Sequence, residues 1–92
     1  QGGKYLKSVI LLGAGAVDKD QTATFFDYSS LDVKLLNIYG EFDHNSVLDH
    51  KDYLVSLRSD KITNQVVIGA DHYYRDQSEP LLLILKKWLI SL

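Results

Sequence analysis

Two stretches constrain this chain more than any other feature: Val33–Asp43, VKLLNIYGEFD, and Gln65–Tyr74, QVVIGADHYY. Each is an apolar run rich in β-branched and aromatic residues that ends in a glycine, the signature of a buried strand. Beyond each glycine stands an acid or a base, Asp43 after Gly40 and His72 after Gly69. Both stretches therefore read as strands delivering a polar side chain just past their C-terminal ends. In open α/β sheets that edge is where ligands bind, because rigid strands hold the loops there while their side chains stay accessible.

Composition narrows the class. Ninety-two residues, 46% hydrophobic and 24% charged with a single proline, suit one small globular domain and exclude a disordered chain. A net charge of −2 offers no electrostatic footprint for nucleic acid, and Lys86-Lys87 is too small a basic patch to change that. With no cysteine, disulfides, zinc-thiolate sites and thiol catalysis are excluded. The longest apolar stretch, Val9–Val17, falls far short of the roughly 20 residues that cross a bilayer, and no secretory signal is visible, so no membrane partner is expected. The chain also lacks methionine. Residues 1–3 are accordingly expected to be a tag remnant, and the 92 residues a piece of a longer protein.

Tyr5–Leu12, YLKSVILL, has the length and composition of a strand buried on both faces. The GAGAV that follows invites two readings that fail. In a dinucleotide fingerprint the third glycine position would be Asp18, a carboxylate where a pyrophosphate must approach. In a nucleophile elbow the attacking position would be Gly15, which has no side chain. The small residues fit a tight turn. Asp18–Leu31 reads as a short helix or ordered loop over the sheet, with Asp18, Lys19 and Asp20 solvated and Phe25 and Phe26 covering the core or lining a pocket. Ser46-Val47-Leu48-Asp49 has the form of a capping box, opening a helix to about Arg58 whose apolar face is Leu48, Leu54, Val55 and Leu57. Asp49 and Asp52 near its start and Arg58 near its end would suit the macrodipole. Ser59–Asn64 reads as a polar turn and Gln65–Gly69 as the next strand. A last helix opens at Ser78, with Leu81, Leu85, Trp88 and Leu92 as its apolar face and Leu82 and Leu89 widening it.

In this order, with a terminal amphipathic helix ending in KKWLISL, the chain from Tyr5 onward resembles the C-terminal third of an α/β-hydrolase-fold protein. In that family the penultimate strand leads to a Gly-x-x-Asp segment carrying the triad acid, and the last strand to a Gly-x-x-His segment carrying the triad histidine. Gly40-Glu41-Phe42-Asp43 and Gly69-Ala70-Asp71-His72 match those segments. The resemblance implies a three-layer α/β architecture: a short parallel sheet of about three strands with flanking helices, forming a single or partial domain. It makes Tyr5–Leu12 the strand after the nucleophile strand. It implies Asp43 as the orienting acid and His72 as the general base of an ester or other acyl hydrolase, with a small-molecule acyl substrate and no cofactor. The nucleophile elbow itself is absent. Serines stand at positions 8, 29, 30, 46, 56, 59, 78 and 91, none flanked by small residues at both required places.

The side chains support that chemistry independently. A histidine titrates near neutral pH, and a buried carboxylate accepting from Nδ1 would hold the tautomer that leaves the other nitrogen as base. The bland alternative makes His72 a strand-end cap and Asp43 a helix cap. A base and its orienter without a nucleophile do not make an acyl-transfer enzyme, so the chain alone is expected to be inactive. The competing reading is a non-catalytic α/β domain used for binding or self-assembly, and a third is a small autonomous enzyme that uses Asp43 and His72 with water. Partners then follow: the N-terminal part of the same protein, or further copies of this chain pairing through the apolar Tyr5–Leu12 edge. Three Asp-His pairs, at 43–44, 49–50 and 71–72, lack a recognisable ligand spacing, so no metal site is expected; His44 and His50 are expected to face solvent, and Asp71 to be a strand-end hydrogen-bond acceptor.

Overall fold

A computed structural model describes residues 8–15 and 32–92. It contains β1 (Ser8–Leu12), β2 (Lys34–Gly40), α1 (Asn45–Ser56), β3 (Ile62–Val67) and α2 (Ser78–Ser91). The strands form one parallel sheet in the order β1-β2-β3, with Ser8 opposite Lys34 and Gly40 opposite Val67 at its two ends. The expected Asp18–Leu31 cover, Phe25 and Phe26 included, lies outside the described residues, as does the Tyr5–Lys7 start of the first strand.

β2 lies between the other two strands, and its apolar run follows from that position. Leu35, Leu36 and Ile38 are almost wholly enclosed because both faces of a central parallel strand are covered. Leu36 and Ile38 join Val67 and Ala70 in a core packed by Leu81, Ile84, Leu85 and Trp88 of α2. Alternation sends Leu35, Asn37 and Tyr39 to the other face, where Lys51 of α1 lies over the Tyr39 ring. The helices thus flank the sheet on opposite sides.

Several local expectations are corrected. β1 is not buried on both faces: Ile10 and Leu12 are 37% and 51% exposed, because among the described residues the strand has a neighbour on one side only. β3 begins at Ile62, inside the expected polar turn, and ends at Val67. Thr63 and Gln65 are exposed while Ile62, Asn64 and Val66 are half-buried, the alternation of a strand covered on one face. Asn64, expected in the polar turn, lies within the strand opposite Asn37 and accepts a 3.0 Å hydrogen bond from its amide.

α1 starts one residue before the expected capping serine. His44 is its N-cap, Ser46 is already helical, and no side chain caps the end; no acid occupies the first turn and no base the last. Arg58 falls beyond the helix at φ 51. The buried stripe is Val47, His50 and Leu54, at i, i+3 and i+7, whereas Val55 is exposed. In α2 the face is Leu81, Ile84, Leu85 and Trp88; Leu82, Leu89 and Leu92 are exposed. Trp88 Nε1 donates to Ser8 Oγ at 3.1 Å, tying the end of the last helix to the start of β1.

Candidate active site

The C-terminal ends of all three strands converge on one group of side chains. The loop after β2 is stitched to the loop after β3 by Glu41 N–H to Val67 O at 3.1 Å and Phe42 N–H to Ala70 O at 2.9 Å. Gly40 makes this approach possible. A Cβ there would lie 2.5 Å from Ala70 O and 2.7 Å from Asp71 O, both rigid backbone atoms. The chain then turns, with Asp43 N–H donating to Gly40 O at 3.1 Å, and drops the Asp43 carboxylate beneath its own loop.

That carboxylate is enclosed, and both of its oxygens accept hydrogen bonds. Oδ2 accepts from Gly40 N–H at 3.0 Å; Oδ1 accepts from His44 N–H at 2.8 Å and from His72 Nδ1 at 2.8 Å. Burial by itself would raise the Asp43 pKa, but the Gly40 and His44 amides and the His72 ring together outweigh it and hold the carboxyl below its ordinary value. Asp43 is an anion with no free direction left to move. Both site residues expected from the sequence therefore stand together, 29 positions apart in the chain.

The His72 side chain is one-third exposed and borders a depression of about 440 Å³, with Phe42, His44 and Tyr73 on its walls. With Nδ1–H given to Asp43, Nε2 carries the lone pair. Behind the ring, β1 contributes Gly13 at φ +62, whose missing Cβ would sit 3.0 Å from His72 Cε1. Gly13 N–H donates to Ile38 O at 2.9 Å, fixing it to β2. Tyr74 donates its hydroxyl to Ile38 O at 3.3 Å; burial, then the Asp43 charge, push its pKa up to about 12, so it stays a neutral donor beside the pair. Asp71 accepts from Tyr73 N–H at 2.9 Å, in keeping with the expected hydrogen-bond acceptor.

No protein-family model, curated protein or solved structure matches this chain.

Two histidines depart from or add to the sequence reading. His50 is buried, not solvent-facing, and donates through Nδ1 to Ala14 O at 3.2 Å. Burial lowers its pKa, against the raising effect of that carbonyl. The signal was present in the sequence, since position 50 falls on the Val47–Leu54 stripe. His44 is exposed as expected, yet its ring meets the His72 ring edge-on, with centroids 4.5 Å apart and planes at 87°. Asp43, His44 and His72 each offer a ligand atom within 4.8 Å of the others, a grouping that chain spacing does not reveal. Among the described residues no hydroxyl hydrogen-bonds His72.

Proposed function

We propose that this chain supplies the acid–base half of a serine-hydrolase site: Asp43 orients, His72 takes the proton, and a nucleophile carried on another segment of the protein attacks an ester or related acyl group. The observation that carries the reading is the 2.8 Å His72 Nδ1–Asp43 Oδ1 bond, made by a carboxylate whose other bonds come from rigid backbone amides. This arrangement presents a single tautomer and stabilises the imidazolium formed when a hydroxyl is deprotonated. The parallel β1-β2-β3 order, with the acid after the middle strand and the base after the next, supports assigning the chain to the C-terminal part of an α/β-hydrolase fold. The depression in front of His72 leaves room for an acyl substrate to approach.

A serine-directed phosphonate probe applied to the protein encoded by the whole source gene tests this. Labelling of a serine on a Gly-x-Ser-x-Gly segment, lost in His72→Ala, is the expected result. Absence of labelling in protein of native fold overturns it. A second reading, a non-catalytic domain that assembles through its sheet, is favoured by the exposed apolar Ile10 and Leu12 on β1.

A further inference from the structure

We propose that His44 and His72 form a binding site for a divalent transition-metal ion of the zinc type, with Asp43 as the group that orients His72 from behind. The sequence spacing does not suggest it; the fold creates it by bringing the loop after β2 against the loop after β3. All three residues offer ligand atoms within 4.8 Å of one another. Their bonding decides which atoms are free to ligate. Both Asp43 oxygens already accept hydrogen bonds, and His72 Nδ1 is one of the donors, so Asp43 stays outside the metal's own shell and His72 ligates through Nε2.

A histidine whose other ring nitrogen donates to a carboxylate is the usual form of a metal-ligating imidazole, because the carboxylate fixes the ring and raises its basicity. The second ligand is His44, whose exposed ring lies edge-on to His72 at 4.5 Å between centroids. Imidazole nitrogens at 2.0–2.1 Å from a tetrahedral ion stand about 3.3 Å apart, and the ligand atoms of His44 and His72 lie within 4.8 Å of each other. The remaining coordination positions open onto the depression of about 440 Å³, where water or a carboxylate-bearing small molecule can complete the shell. Imidazole donors select zinc, copper or nickel over magnesium or calcium.

The site does not depend on acyl transfer. Where His72 acts as a base, an ion on Nε2 occupies the same lone pair, so metal binding and base catalysis exclude each other.

The test is a titration of zinc chloride into the chelator-treated 92-residue chain, followed by calorimetry and by long-range proton–nitrogen correlation spectra of the imidazoles. Only three histidines need be resolved. One ion per chain is expected, with ring-nitrogen shifts at His44 and His72 and none at His50. His44→Ala, at an exposed position, should keep the fold and lose about tenfold or more in affinity, and Asp43→Asn roughly 10–100-fold. The proposal is overturned by the absence of saturable binding, by His44→Ala binding zinc as tightly as the parent chain, or by shifts confined to His50. Phosphonate labelling needs no zinc, so failure here is distinguishable from failure of the hydrolase reading.

Discussion

At the scale of single residues, two histidines of one small chain have opposite fates. His72 is one-third exposed and held by a carboxylate; His50 is enclosed and bonded to the Ala14 carbonyl. Burial lowers the folded pKa of His50 below the ordinary 6.5. The unfolded chain therefore takes up this proton first, and protonation favours unfolding. The His50 contribution to stability is complete above pH 6.5, declines as pH falls from there through the lowered folded value, and is constant below it. Urea midpoints measured between roughly pH 8 and pH 5 should fall more steeply for the parent chain than for His50→Asn, which removes this proton site. Equal slopes would show that the buried ring does not couple to folding. His50 was also legible in part: its place on the helical stripe predicts burial, but the polarity of histidine argues the other way, and it is tertiary structure that brings the Ala14 carbonyl to the ring.

At the scale of elements, β2 carries the core. Ile38 is fully enclosed between the strand's neighbours and α2, whereas Ile90, on the far side of α2, is 76% exposed. Ile38→Ala should cost about 2–5 kcal/mol, the lost transfer free energy plus the cavity left behind. Ile90→Ala should stay within about 0.5 kcal/mol of the parent. Denaturant unfolding at matched slope checks both values, and a large effect at Ile90 would mean that this face is covered. The ends of the elements follow a different logic from their middles. The capping box at Ser46–Asp49 does not form: Asp43 bonds the His44 amide, His44 is the N-cap, and the helix starts two residues before the box would place it. Local pattern could not foresee a start imposed by a carboxylate that also serves His72.

At the scale of the whole molecule, β1 stands at the edge of the sheet among the described residues. β1 pairs with β2 on one side, and its Ile10 and Leu12 share one sheet face and are exposed. Such a strand templates pairing with another chain. Light scattering at roughly tens of micromolar, where exposed edges associate, should find species larger than a monomer, and Leu12→Lys should shift them toward monomer. A strictly monomeric parent chain would count against association through this edge. No helix among the described residues is long and apolar enough to cross a membrane.

Among the described residues, the amino-acid order by itself determined three strands and two helices in sequence, with β3 beginning three residues before the expected Gln65, and placed Asp43 and His72 just past strand ends. Apolar periodicity and glycine placement are local properties, and those elements obey them. Tertiary structure decided the rest. It brought two strand-end groups 29 positions apart to 2.8 Å, because parallel pairing of β2 with β3 sets both C-terminal ends on the same edge. It required Gly13 and Gly40 where another strand's imidazole and carbonyls leave no space for a Cβ. It also set the exposed His44 beside the pair, since nothing in the spacing of residues 44 and 72 encodes that their loops meet.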